Sequence, residues 1–206
     1  MAMVETKVWH EPVDVESRLA DIKLHKQGLL KVRVVALTAA ADTTAFHPSN
    51  AAGTMAYQQG TWSLRNEFVV AEGPWRVDRT DGVEAIKNEA DKVKVVFANV
   101  DVAANLMHDP KPRSKKGAGA ERVFEPNPFG SLPSYAPEQQ EGWSVFYLMV
   151  AENGAVELTQ PIVQDGTFTA YVERIFLSDG SDLDLSPLSL GDDDVVVEFD
   201  PQVARK

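Results

Sequence analysis

Cysteine is absent from this 206-residue chain. With it go disulfides, thiolate nucleophiles and every zinc or iron–sulfur site that needs a cysteine ligand. Long apolar runs are missing as well. The longest, such as Val145–Val150, fall far short of the roughly 20 residues a membrane-spanning helix needs, so no membrane partner is expected. The opening residues, MAMVETKVWHEPVDVESRL, hold neither a basic n-region nor an apolar h-region, and a cytoplasmic protein is the expectation.

Catalytic motifs are equally scarce. The four histidines (His10, His25, His47, His108) are scattered, with no His-x-His or His-x-x-x-His pair to seed a metal site. Each reads as a surface or capping residue. No Gly-x-Ser-x-Gly elbow occurs. The stretch KKGAGAER has lysines and glycines but not the Gly-x-x-x-x-Gly-Lys-Ser/Thr order that wraps backbone amides around phosphates. No cofactor is expected, and a non-enzymatic protein is favoured.

What is present is an ordinary globular composition, 44% apolar and 25% charged, which excludes a wholly disordered chain. The net charge of −11 is unevenly placed. Ser178 to Asp200 contains eight acids and no lysine or arginine, leaving only −3 for the rest. The body is therefore nearly neutral, and residues 179–206 form an acidic C-terminal segment behind a single domain, 1–178.

The pattern of residues predicts an α+β fold: a mainly antiparallel sheet, barrel-like in one variant, with two or three helices. Val15, Leu19 and Ile22 recur at helical spacing, with Asp14 as N-cap and Gly28 as stop. LLKVRVVALT alternates as a strand. Ser49 or Asn50 starts a helix that puts Met55, Gln59 and Trp62 on one face, but Gly53 and Gly60 inside it each cost about 1 kcal/mol relative to alanine, and a loop with a short helix is the alternative. FVVAEGPWRVDR reads as a strand broken at Gly73-Pro74. Thr80 or Asp81, with Glu84 in a capping box, opens a helix to about Asp91, and a strand follows; a single helix across 83–107 fits the spacing too. The clearest strands come last. GWSVFYLMVAENGAVELTQPIV is a hairpin turning at Glu152-Asn153-Gly154, GTFTAYVERIFLSDG is a third strand, and DVVVEFD is a short final strand or a partner-binding tail.

One region breaks this regularity. His108 to Gly142 is rich in proline, glycine and polar residues. A connection of some 35 residues far exceeds the usual 4–6 and marks a functional or disordered segment. In its first part, His108 to Arg122, Lys111, Arg113, Lys115, Lys116 and Arg122 stand against Asp109 and Glu121 alone, a local charge of +3. Cations along such a segment neutralise phosphates and release counterions, giving an affinity that falls with salt. Phe124 and the aromatics after it supply faces on which bases stack. The leading expectation is a binding protein that engages an anionic partner, most plausibly nucleic acid, through Lys111, Arg113, Lys115, Lys116, Arg122 and Phe124. The acidic tail is a competing partner for the same basic loop.

Two alternatives stand beside it. Asp78, Asp81, Glu84 and Asp101, with lysines interspersed, are the kind of carboxylate set that holds divalent ions in a phosphoesterase or nuclease; helix caps and solvated faces account for the same residues without a metal. The other alternative is a structural or assembly protein that forms homo-oligomers.

Overall fold

The computed structural model describes residues 6–113, 142–164 and 166–183. Among these residues, seven strands form one open mixed sheet in the order β1-β7-β6-β5-β4-β3-β2, and three helices are interposed between the first two strands. The elements are β1 (Lys7–Trp9), α1 (Pro12–Asp21), α2 (Lys26–Ala41), α3 (Ala51–Phe68), β2 (Trp75–Asp78), β3 (Ala85–Asn88), β4 (Val93–Val100), β5 (Ser144–Ala151), β6 (Val156–Gln164) and β7 (Thr167–Ser178).

The α+β class holds and four of the six strand pairings are antiparallel, but the sheet is mixed and is not a barrel. β4 and β5 run parallel at its centre, β1 and β7 parallel at one edge. β1 and β2 stay at opposite edges, so the sheet does not close. The central parallel pair also explains the long connection. A chain leaving the carboxyl end of β4 must return to the amino end of β5 by a crossover, which a tight turn cannot provide.

Both faces of the central strands are apolar. Val95, Phe97, Phe146, Leu148, Leu158 and Ile175 pack against Val15, Leu19, Leu29, Val32 and Leu64 of the helices. Val96, Ala98, Val100, Val145, Met149, Phe168 and Tyr171 belong to a second buried cluster on the opposite face. Strands buried on both sides read as continuous apolar runs rather than alternating ones, and VFYLMV is the result.

LLKVRVVALT is helical, contrary to the expected strand. His25 caps α2 by accepting the Gly28 N–H at 3.0 Å on Nδ1, and Leu29, Val32, Arg33 and Ala36 then face inward at helical spacing. Val34 and Val35 on the other side produce the false alternation. Gly28 lies inside this helix and is no stop; α1 ends earlier, at Asp21.

The expected helix from 80 to 91 is likewise replaced. Asp78 Oδ1 accepts the Thr80 hydroxyl at 2.6 Å, turning the chain into a single 3-10 turn (Thr80–Gly82), and Gly82 follows at φ +74°. β3 then pairs with β2 and β4, burying Ile86 between Val77 and Val95. Asn88 turns the chain again, its Oδ1 accepting the N–H groups of Ala90 and Asp91. β4 excludes the long helix across 83–107.

Other expectations are met. α3 covers the segment with Met55, Gln59 and Trp62. Gly60 is there because a Cβ would stand 2.5 Å from the Phe97 ring of β4. The hairpin turns at Glu152-Asn153-Gly154, with Gly154 at φ +87° and Asn153 Oδ1 accepting the Ala155 N–H. DVVVEFD lies outside the described residues.

Candidate functional site

Residues 101–113 leave the end of β4, reach out over β6 and β7, and come back to where they started. The return is closed by Asp101, whose N–H donates to the Lys111 carbonyl while its Oδ1 accepts the Lys111 N–H at 2.7 Å. Pro112 then bridges to Val100, and the Arg113 N–H donates to the Asn99 carbonyl. A compact loop with its ends together is an Ω-loop, and it forms a strap across the second face of the sheet.

The strap is held down by buried charge. Arg174 of β7 is 3% exposed and grips Glu157 of β6 through Nε and Nη2, at 3.0 and 2.8 Å. Its Nη1 donates to Asp109 at 3.0 Å and its Nη2 to the His108 carbonyl. Glu157, fully buried, also accepts the Ala104 N–H and the Thr159 hydroxyl. The Tyr171 hydroxyl donates to the Pro110 carbonyl. Burial first, and then the Asp109 charge, push the Tyr171 phenol well above its usual range, so it stays a neutral donor. A buried pair with every lone pair used is the arrangement in which charge tolerates burial.

This anchorage separates the charges of the strap. Asp109 is spent on Arg174, whereas the exposed Lys111 side chain has no acidic partner among the described residues. Arg113 pairs with Glu152 at 2.7 Å, but both side chains are largely exposed, at 50% and 77%. Such pairs contribute roughly 0–1 kcal/mol. Arg113 and Glu152 also line a shallow cleft at the carboxyl ends of β4 and β5, walled by Ala36, Leu37, Ala40, Ala52, Gly53 and Ala56. Asn99 bridges the cleft to α3 by donating to the Gly53 carbonyl at 2.8 Å. The amino end of α3, with no acid in its first turn and no side-chain bond from its cap Asn50, opens beside it. Helix N-termini carry partial positive charge, so Arg113 and the amino end of α3 are two sources of positive potential at the cleft, and Lys111 precedes Arg113 by two residues on the returning strap.

Of the expected binding residues, Lys111 and Arg113 are thus brought to one end of the sheet. Lys115, Lys116, Arg122 and Phe124 lie outside the described residues, as does most of the 108–142 segment. Three of the four acids of the metal-dependent alternative have other occupations. Asp78 pairs with Lys94 at 2.7 Å; burial alone would raise its pKa, but the bonds from Lys94 and Thr80 together lower it. Glu84 is bonded by Arg65 and Arg79, and the Arg65 bond foremost lowers its pKa. Asp101 closes the strap. No group of three or more His, Asp or Glu side chains able to hold a metal ion occurs among the described residues.

Glu157 and Arg174 were not singled out from the sequence. The signal was slight: Glu157 in VELTQ and Arg174, beside Glu173, in VERIFL are charges within strands whose neighbouring residues are buried. Arg33 is comparable. Buried in α2, it binds Asp182 through both guanidinium ends, at 2.8 and 2.7 Å, tying the start of the acidic segment to the helices.

Comparison of the chain with protein-family models, with curated proteins and with solved structures gives no match. The functional reading therefore rests on the residues themselves.

Proposed function

We propose that the protein is a non-enzymatic binding protein that engages an anionic partner, nucleic acid before other classes, at the end of the sheet where the strap returns. The single observation that carries this reading is the division of charge in the strap. Asp109 is taken up by Arg174 and Asp101 by the closure of the strap, whereas Lys111 has no acidic partner among the described residues and Arg113 has only the exposed Glu152. A phosphate chain arriving there displaces only the exposed Glu152 from Arg113. Lys115, Lys116, Arg122 and Phe124 follow directly in sequence and extend the same contact in this reading.

Phosphate contacts of this kind are strong at low salt and indifferent to sequence. Fluorescence anisotropy of a labelled single-stranded oligonucleotide, with the full chain, tests it. Binding that weakens as salt rises supports the reading, and absence of binding at low ionic strength refutes it.

A further inference from the structure

The acidic segment is rooted at the end of the sheet where the strap returns. Strand register carries the two together. Val100, to which Pro112 bridges, stands opposite Ala151 on β5. Val150 stands opposite Val156 on β6, and Val156 opposite Ser178 on β7. Neighbouring strands lie about 4.8 Å apart, so roughly 15 Å separates the returning strap from the end of β7. Past Ser178 the chain turns at Gly180, φ +94°, and is pinned by Arg33. That side chain holds Asp182 at 2.8 and 2.7 Å and the Gly154 carbonyl at 3.2 Å. Leu183, the last described residue, lies so close to Gly154 that a Cβ there would stand 2.3 Å from its Cδ1. Gly154 is two residues beyond Glu152, the partner of Arg113.

We propose that the acids following Leu183 occupy the strap cations Lys111 and Arg113 of the same chain, and that an anionic partner must displace them. The inference rests on the anion-binding reading of the strap and adds its regulation. Three features select this occupant. Its charge is opposite to that of the strap: residues 184–206 hold six acids, and their two bases, Arg205 and Lys206, come only at the end. Its reach is sufficient. Asp192 to Asp194 follow Asp182 by ten to twelve residues, and an extended chain spans up to about 3.3–3.6 Å per residue, more than the distance to be crossed. Its attachment is the third. A tethered group acts at an effective concentration in the millimolar range, so Asp182, held by Arg33, delivers the acids to the strap ahead of a dilute free anion.

Two measurements on the full chain separate this inference from the reading beneath it. A carbodiimide condenses a lysine amine with a carboxylate in contact with it, forming an amide with loss of water. At low salt and low protein concentration, peptide mass spectrometry is expected to find Lys111 joined within one chain to an acid of residues 184–200. High salt is expected to abolish that product. Its absence at low salt overturns the inference, whether or not nucleic acid binds. The second measurement is oligonucleotide affinity at low salt for a chain carrying Asp192→Asn, Asp193→Asn, Asp194→Asn and Glu198→Gln together. Its control is neutralised equally at four exposed acids of the body, Glu16, Asp21, Glu72 and Glu89. A site about nine-tenths occupied shows about a tenth of its intrinsic affinity, so the tail variant is expected to bind about tenfold tighter than wild type and the control to change far less. Equal tightening in both, or none in either, overturns the inference and leaves the anion-binding reading in place. Absence of binding in all three chains refutes that reading instead, and the cross-link then decides the tail contact alone.

Discussion

Arg174 and Glu157 face each other across the β6–β7 hairpin, joined by two parallel hydrogen bonds and sealed from water. The pair does more than hold two strands together. Its spare donors and acceptors take hold of Ala104, His108 and Asp109, and so determine where the strap lies.

Removing Glu157 leaves the buried Arg174 with only the exposed Asp109 to balance its charge. Glu157→Leu is expected to destabilise the protein by about 3–5 kcal/mol, the usual cost of breaking a buried pair. Glu157→Leu with Arg174→Leu recovers much of that loss, because neither charge is then stranded. Urea denaturation midpoints of the two variants check this, and amide exchange at Ala104 accelerates in both.

Two glycines of α3 have opposite outcomes. Gly60→Ala presses a methyl group into the Phe97 ring, and overpacking of this kind costs about 1–3 kcal/mol, more than the helix-propensity gain of about 1 kcal/mol offsets. Gly53→Ala meets nothing within 4 Å and keeps up to about 1 kcal/mol of that gain. Thermal melts of the two variants shift in opposite directions.

Acid sensitivity has a specific source at the C-terminal end of the described chain. The bond from Arg33, ahead of all other influences, holds the Asp182 carboxyl below its ordinary range. A group with a lowered folded-state pKa contributes stability above its unfolded value, near 4, and loses it as pH falls through the folded value. Asp182→Asn is therefore expected to be less stable than wild type at neutral pH, with the difference shrinking below about pH 4. Urea midpoints across pH 2 to 7 measure it; a difference that grows on acidification contradicts the assignment.

What could be read from the sequence was whatever depends on short-range pattern. The Glu152–Gly154 turn and the strands around it, the α3 helix with its Trp62 face and the strand beginning near Val93 all follow from local periodicity and turn chemistry. α2 did not, because Val34 on its outer side and the buried Arg33 on its inner side blur the helical period, and its three valines mimic a strand. The segment 80–88 failed for a different reason. Its capping-box residues are real hydrogen-bonding residues, but Asp78 uses Thr80 to close a turn, and Ile86 is more valuable between Val77 and Val95 than on a helix. The strap was visible only as a long, charged connection. Its anchorage needs Arg174, which lies 61 residues after Arg113 in sequence and is brought near by the hairpin.

The central claim is that Lys111 and Arg113 meet phosphate. The most direct measurement is the salt dependence of oligonucleotide affinity for wild type, Lys111→Glu and Arg113→Glu, plotted as log affinity against log salt. Each cation that contacts a phosphate contributes about one to the magnitude of that slope. The account predicts weaker binding and a slope shallower by about one for each variant, with the fold unchanged by circular dichroism. Oligonucleotide binding with the wild-type slope in both variants would contradict it.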